Sequence, residues 1–283
     1  MPEVRVVVST ELDRFMDTVV QKGMFSSKAE LIRAALIRYF ETLPIRMPSG
    51  YDDTTLFSPD GRIFQIEYAM ESPPRGVTIV GLRYDKGVIL AKERVREAAN
   101  DDLSFVVHHP WENYRVVNHI GMVPTGLSGD FNLLKNHAIS LANAFKAETK
   151  APIFVEELAN QLALFIHSYT TKKESRPLGI VTLLGGVDDT GSHLFVLDPS
   201  GTYREVLAWA EGQHRKAAKE LLKVGVKPDL PFKQALALVV KSLLRDKTRK
   251  PGEVNVTVID EQTKTQRQLT ESEIQAIWSV AFS

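Results

Sequence analysis

Residues 51–69, YDDTTLFSPDGRIFQIEYA, constrain the fold of this chain more than any other stretch. Within them, residues 58–61 (Ser-Pro-Asp-Gly) predict a type I turn, because proline fixes φ at the second position and glycine suits the fourth. Residues 64–70 then show the apolar spacing of a short amphipathic helix, which Pro73 and Pro74 stop. A fixed turn that leads directly into a helix indicates the start of a folded body.

The rest of the chain alternates between pairs of strands and pairs of helices. Apolar runs at residues 77–82 and 87–91 flank a polar turn and predict a β-hairpin. Further strands are expected at residues 114–117, 119–123, 179–187, 193–197, 203–208, 254–259 and 266–269. Helices are expected from residue 125 onward with a stripe of Leu133, Leu134, His137, Leu141 and Phe145, and at residues 155–169, 213–222, 232–244 and 270–280. This order predicts an α+β fold, with helices on both faces of two stacked sheets in a four-layer αββα sandwich.

The string FSPDGRIFQIEYA resembles the N-terminal signature of proteasome α-type subunits, and residues 125–130, 176–179 and 198–201 are similar to further segments of that family. The resemblance covers about residues 50–270 and implies the N-terminal-nucleophile hydrolase fold. It also implies a ring-forming, non-catalytic scaffold and gate for a proteolytic core, with a β-type subunit as partner. The expected gate and ring-forming residues match the family's tail, turn and helix: Tyr51, Asp52, Ser58, Pro59, Asp60, Gly61, Arg62, Gln65, Glu67 and Tyr68.

Catalytic β-type relatives use an N-terminal threonine whose own amine serves as the base, assisted by a lysine and an acid. Alignment on the resemblance places Val77 at the nucleophile position, and Thr78 is one residue off, which turns a strand side chain to the other face. The acidic position falls on Glu93 and the lysine position on Glu112. We therefore expect no catalytic residue and no hydrolysis by this chain.

Two departures from the α-type pattern bear on the gate and on activator docking. Asp53 stands where the family's tail usually has arginine, which weakens a salt bridge between neighbouring tails. Glu112 also falls at the family's pocket lysine, which receives the C-terminal carboxylate of an activating ATPase, and a glutamate there would repel that carboxylate. Arg115 is the residue expected to compensate.

Residues 1–42 precede the signature as an additional module. The β-branched run at residues 4–8 predicts a strand. Ser9 and Thr10 then offer a helix N-cap, Gly23 ends that helix, and residues 27–30 (Ser-Lys-Ala-Glu) predict a capping box for a second helix. A strand and two helices resemble a ribbon-helix-helix module, which implies an intertwined dimer. The expected dimer core consists of Val4, Val6, Val8, Ile32 and Leu36.

The role of this module has two interpretations. Residues 1–42 hold six basic and six acidic residues, whereas a DNA-binding module normally carries a basic excess, so pairing of subunits is favoured. The alternative is a DNA-binding transcriptional regulator with a proteasome-like sensory domain, in which Arg5 and Val7 contact the bases. Residues 43–50, rich in proline and glycine, predict a linker, so the domains expected are 1–42, 43–50 and 51–283.

Composition excludes several other classes of function. Lys plus Arg equals Asp plus Glu at 35 each, which points away from a global preference for nucleic acid or anionic membrane. The chain has no cysteine, and none of its seven histidines form a pair with helical metal-ligand spacing, so no metal or cofactor is expected. No secretory signal or long apolar run is present, so a cytoplasmic location is expected. The basic run at residues 241–250 is interpreted as a solvated helix end.

Overall fold

The computed structural model describes residues 7–23, 25–42, 57–58, 61–94, 115–173, 175–245 and 250–282. The chain divides into two compact units, residues 1–50 and residues 51–283. None of the helices in the described ranges combines the length and apolarity that a bilayer span requires.

The first unit contains two helices, α1 (Thr10–Gln21) and α2 (Lys28–Thr42). The Ser9 side chain caps α1 by accepting from the Leu12 backbone N–H at 3.3 Å. Gly23 ends the helix with φ of +71°, a left-handed conformation that glycine adopts without steric cost. Both ends of α1 therefore agree with the sequence prediction.

The predicted capping box of α2 is displaced by one residue. Ser27 Oγ accepts from the Glu30 N–H at 3.2 Å, as expected. The Glu30 carboxylate, however, accepts from the Ser26 N–H at 2.8 Å and from the Ser26 hydroxyl, not from Ser27. The prediction of a reciprocal Ser27–Glu30 pair was thus wrong in one of its two bonds, because Ser26 offers Glu30 both a backbone and a hydroxyl donor.

The strand predicted for residues 4–8 falls mostly outside the described residues, which include neither Val4 nor Val6. Val7 and Val8 form no strand in the described chain. A single β-strand has no backbone hydrogen-bond partner without a second strand beside it. Pairing of this segment therefore stays a prediction.

The second unit has the remaining elements in an alternating order. Its helices are α3 (Phe64–Met70), α4 (Ser128–Thr149), α5 (Val155–Thr170), α6 (Arg215–Gly225), α7 (Phe232–Leu244) and α8 (Glu271–Phe282). Its strands are β1 (Ile79–Tyr84), β2 (Gly87–Glu93), β3 (Arg115–Val117), β4 (Ile120–Gly126), β5 (Ile180–Asp188), β6 (Gly191–Leu197), β7 (Tyr203–Glu205), β8 (Ala208–Glu211), β9 (Val254–Asp260) and β10 (Thr265–Gln268).

The strands form two antiparallel five-stranded sheets, one ordered β10-β9-β2-β1-β8 and the other β3-β4-β5-β6-β7. Side chains from both sheets meet in a shared core that includes Ile79, Leu90, Leu183, Leu194 and Ile259. A second cluster packs α6, α7 and α8 on the outer face of the first sheet, and a third packs α4 and α5 on the other. The predicted four-layer αββα sandwich is therefore confirmed.

The strand predicted for residues 203–208 is in fact two strands in different sheets. β7 pairs with β6, whereas β8 pairs with β1. The chain crosses between the sheets at Val206 and Leu207: the Val206 N–H donates to Leu194 O at 2.9 Å, and Leu207 O accepts from the Arg83 N–H at 2.8 Å. A continuous run of strand-forming residues cannot reveal such a change of sheet.

The apolar stripe predicted for α4 is confirmed only in part: Leu134 is buried, and Leu141 and Phe145 pack against the core. Phe131, Leu134, Ala138 and Ala142 are its buried apolar residues, whereas Leu133 is 42% exposed. The prediction favoured large side chains, but alanines fill the sites where the helix lies against its neighbours. Small residues are buried almost as often as large ones.

Candidate functional site

The signature turn closes on itself through Ser58 and Arg62. The Gly61 N–H donates to Ser58 O at 2.8 Å, and the Ser58 N–H donates to Arg62 O at 2.9 Å. The Ser58 hydroxyl accepts from the Arg62 N–H at 3.0 Å and donates to its carbonyl at 3.2 Å. Gly61 has φ of +79°, a conformation that favours glycine. Tyr51, Asp52, Pro59 and Asp60 lie outside the described residues.

Arg62 also ties the turn to the helix that follows. Its Nε lies 2.6 Å from one Glu67 carboxylate oxygen, and Nη2 donates to the other, which makes a bidentate pair. The guanidinium lies 5.0 Å from the Phe64 ring centroid, and Phe64 stacks on Tyr68 at 6.4 Å. Gln65 shares the helix, and no residue of α3 is fully buried. The signature is thus a locally organised surface element.

The position assigned to the nucleophile carries no reactive group. Val77 lies within the chain, so its nitrogen is an amide and not the free amine that this chemistry needs. Its carbonyl accepts from Thr125 Oγ1 at 2.7 Å, and the same hydroxyl is 3.2 Å from Pro73 O. Thr78, the next residue, is fully buried. The segment that precedes β1 is therefore held by Thr125 through the Val77 carbonyl.

The acid predicted at Glu93 is present, but it has a structural partner. Glu93 accepts from the Thr78 N–H at 3.2 Å and from Arg245 Nη1 at 2.7 Å. Burial by itself raises the pKa of Glu93, but the hydrogen bonds from Thr78 and Arg245 outweigh burial and hold that pKa below its ordinary value. The carboxylate is therefore a charged anchor for two elements.

Arg245 is the residue that sequence reasoning missed. The sequence places it in a basic run interpreted as solvated, whereas its side chain is only 20% exposed and reaches Glu93 from the end of α7. The two residues are 152 positions apart, and no local pattern signals such a contact. The interpretation of residues 241–250 as solvated was thus wrong for this side chain.

Two motifs quoted separately in the sequence meet in the structure. Asp130, in the first turn of α4, accepts from Arg176 Nη1 and Nη2 at 2.7 Å each and from the Gly179 N–H at 2.8 Å. Burial alone raises the pKa of Asp130, but these bonds outweigh burial and lower the pKa below its ordinary value. Its role is a cross-link between segments, not only a charge near the helix dipole.

The residues predicted for activator docking are only partly described. Glu112 lies outside the described residues. Arg115 lies exposed on β3, where its guanidinium donates to Asn118 Oδ1 at 2.6 Å. Compensation of Glu112 by Arg115 therefore stays a prediction.

The first unit has an apolar groove of about 410 Å³ between its two helices. Its lining consists of Val8, Leu12, Phe15, Met16, Leu31, Ile32, Ala35, Leu36 and Tyr39. Phe15 is 64% exposed, Tyr39 60% and Leu36 45%. Apolar side chains of this size are usually buried in a folded module, so the groove is a candidate interface.

One lysine of the same unit is paired with two aspartates within it. Lys28 Nζ lies 2.7 Å from Asp13 and 2.9 Å from Asp17. The hydrogen bonds to these aspartates raise the pKa of Lys28. Of the predicted DNA-contacting residues, Val7 is fully exposed and Arg5 lies outside the described residues.

Comparison with known proteins agrees with this geometry. The model of the proteasome subunit family matches residues 74–259, and the model of the N-terminal signature of A-type proteasome subunits matches residues 51–71. A protein of Methanococcus maripaludis named "Proteasome subunit alpha" is 31% identical over 236 residues, which cover 83% of this chain and 90% of that protein.

Two further relatives carry similar names. "Proteasome subunit alpha" of Methanothermobacter thermautotrophicus is 32% identical over 229 residues, 80% of this chain and 91% of that protein. "Probable proteasome subunit alpha type-7" of Saccharomyces cerevisiae is 35% identical over 175 residues, 60% of this chain and 58% of that protein. The chain therefore belongs to the proteasome subunit family, within its non-catalytic α type.

Proposed function

We propose that this chain forms an oligomeric scaffold and gate for a proteolytic core built by a β-type subunit, and that its first unit pairs the subunits. The observation that carries the scaffold role is the state of the nucleophile position. Val77 offers neither a hydroxyl nor a free amine, and Arg245 occupies the Glu93 carboxylate. A subunit with this arrangement contributes binding surfaces to the assembly and no catalytic group.

The gate and ring contacts are assigned to the signature. Arg62 holds Glu67 and Phe64 at the start of α3, and all seven residues of that helix keep part of their surface exposed. A rigid, half-exposed helix suits a contact with a neighbouring subunit. Tyr51 and Asp52 precede this helix as the tail. Asp53 stands in place of an arginine, so the salt bridge between neighbouring tails is weaker and the gate closes less firmly.

Pairing through the first unit is supported by its groove. Two short helices do not supply enough apolar burial for a stable domain, and units of this size usually depend on oligomerisation. The groove residues come from both helices and from Val8, the last residue of the segment predicted to pair as a strand. A second copy brings an identical apolar surface and a partner strand together, so it satisfies both requirements.

The DNA-binding alternative has less support. Lys28 is engaged by two aspartates, and the Glu30 carboxylate accepts from Ser26 just before α2 begins. Helix N-termini are common sites for phosphate, and a carboxylate already placed there disfavours a second anion. Salt-dependent binding of duplex DNA that disappears in Arg5→Ala would favour this alternative over pairing.

Pairing two by two constrains the assembly. A ring with an odd number of subunits leaves one module without a partner, whereas an even-numbered ring or a simple dimer leaves none. Pairing through the first unit therefore favours an even-numbered ring or a dimer over an odd-numbered ring.

The test combines co-purification with measurement of mass. The chain is co-expressed with a β-type subunit from the same genome, and a stable mixed complex is the expected result. The chain alone is expected to show no peptidase activity. Mass is then measured by light scattering for the full chain and for residues 51–283, which enclose their own cores. An unchanged oligomer after truncation would reject the pairing role, and failure to bind any β-type subunit would reject the scaffold role.

A further inference from the structure

A cavity of about 550 Å³ lies at one end of the sheet that contains β1, β2, β9 and β10. The turn that joins β1 to β2 and the turn that joins β9 to β10 both contribute to it. Its lining combines aromatic and aliphatic side chains, among them Tyr84, Phe232 and Val258, with the carboxylates of Asp85 and Asp260. None of these residues belongs to the signature, to the Glu93 cluster or to the groove of the first unit.

Tyr84 is the fixed element of this cavity. It is only 7% exposed, and its ring centroid lies 5.2 Å from that of Phe232. Its hydroxyl lies against Gly87: a Cβ added to Gly87 would be 2.7 Å from the Tyr84 hydroxyl oxygen. Among the described residues this hydroxyl has no hydrogen-bond partner. The hydroxyl faces the cavity, where it can accept a hydrogen bond from a bound group.

The charges around the hydroxyl are predominantly negative. Burial raises the pKa of Tyr84 to about 12, and Asp260 and Asp85 add to the increase, so the hydroxyl keeps its proton at physiological pH. Glu261 acts in the same direction. Arg267 acts in the opposite direction, but its guanidinium already donates to Glu273 at 2.8 Å.

Lys86 is the second cation of the lining. It lies exposed in the β1–β2 turn, immediately beside Asp85. The Arg267–Glu273 pair is neutral as a whole. Within the described lining, Lys86 is therefore the remaining cation that faces the two carboxylates of Asp85 and Asp260. The cavity therefore disfavours an anion and favours a cation.

We propose that this cavity binds a cationic group on a short apolar stem, either a guanidinium or an ammonium. Aromatic faces attract cations, and Tyr84 and Phe232 supply two of them. The Asp85 and Asp260 carboxylates form charge-assisted hydrogen bonds with the N–H groups. Val258 packs against the stem. The source is either a basic side chain of a protein segment or a free amine, and the two share this chemistry.

The first experiment uses the full chain and two matched probes. N-acetyl-arginine amide and N-acetyl-citrulline amide have nearly the same shape, but only the former is charged. Saturation-transfer NMR is expected to give saturable binding of the arginine probe and binding about tenfold weaker for the citrulline probe. Equal affinity for the two probes, or no binding of the arginine probe, overturns the proposal.

Variants and a third probe then locate the site and distinguish its source. Tyr84→Phe and Asp260→Asn are expected to weaken the arginine probe about fivefold each. The control Glu220→Gln removes an equal charge on α6, outside the cavity, and leaves affinity unchanged. Agmatine binding more tightly than the acetylated probe identifies a free amine as the source, and the reverse order identifies a protein side chain. Loss of affinity in Glu220→Gln equal to that in Asp260→Asn would contradict a site at this cavity.

Discussion

Arg245 Nη1 lies 2.7 Å from Glu93 Oε1, an ion pair that joins the C-terminal end of α7 to the end of β2. The side chains are 20% and 9% exposed, respectively, so water screens the pair only weakly. Arg245 has φ of +63°, which is unfavourable for a residue with a side chain. A disfavoured backbone conformation persists only where surrounding contacts maintain it, and Glu93 provides that contact.

Removal of the Arg245 charge alone should reduce the stability of the folded chain. Arg245→Met removes the guanidinium that lies 2.7 Å from the buried Glu93 carboxylate, and we expect a loss of about 3 kcal/mol in the free energy of unfolding. Urea denaturation of the full chain measures this. The double variant Glu93→Gln/Arg245→Met should recover part of the loss, because the buried charge is then absent too. Lys241→Met, in the same helical turn, is the control, and a loss equal to that of Arg245→Met would show that the ion pair does not matter.

The same pair predicts a pH dependence with a defined sign. The pKa of Glu93 in the folded chain lies below its ordinary value of 4.5, so its stabilising effect is present above pH 4.5 and is lost as the pH falls through the folded value. In Arg245→Met the Glu93 carboxylate loses one of the bonds that lower its pKa, so the folded pKa moves upward and protonation relieves part of the penalty. The stability difference between wild type and variant should therefore shrink as pH falls below 4.5. A difference that is constant with pH would contradict the assignment.

The sequence predicted elements better than long-range contacts. The bounds of α3 and α7 agree with the prediction. The capping box of α8 also forms as expected: Glu273 accepts from the Thr270 N–H at 2.8 Å, and Thr270 Oγ1 accepts from the Glu273 N–H at 3.3 Å. These features depend on residues within four positions of one another. The Arg245–Glu93 pair depends on how α7 packs, and spacing along the chain carries no information about that contact.

The family resemblance drew attention to two segments whose contact local patterns do not reveal. Residues 125–130 and 176–179 are separate strings in the sequence, and their physical link is the Asp130–Arg176 pair. The division of residues 203–208 between two sheets was missed, because alternation of side chains does not change where a strand leaves one sheet for another. Propensity describes a strand, but not its partner.

Loss of the Asp130 charge should weaken the second unit. Asp130→Asn keeps the shape but removes the charge that accepts three hydrogen bonds, so we expect a loss of about 2 kcal/mol in the free energy of unfolding. Thermal and urea unfolding both measure it. The control Asp189→Asn breaks an exposed pair with Lys264 and should change stability by less than about 0.5 kcal/mol. Similar losses in the two variants would mean that burial of Asp130 is irrelevant.

Two glycine-to-alanine variants should have opposite effects. At Gly87, φ is +156° and an added Cβ would lie 2.1 Å from Ile259 O, so Gly87→Ala should destabilise the chain by about 3 kcal/mol or more. At Gly129, in the first turn of α4, no atom lies within 4 Å of the added Cβ, so Gly129→Ala should stabilise by about 0.5 kcal/mol or slightly more. Denaturant midpoints of both variants, measured side by side, give the comparison. A neutral Gly87→Ala would show that the β1–β2 turn tolerates displacement.

A charge in the groove of the first unit should separate paired chains. Phe15 is 64% exposed yet lines the groove, so Phe15→Glu places a carboxylate on the surface proposed to meet a second copy. Burial of an unpaired charge in an interface is strongly unfavourable, and we expect the pairing constant to fall by about a hundredfold or more. Gln21→Glu adds the same charge at an exposed site of α1 outside the groove and should leave pairing intact. Sedimentation velocity across a range of concentrations measures both variants. Dissociation in neither variant would mean that the groove is not the pairing surface, and equal dissociation in both would mean that net charge, not the groove, controls association.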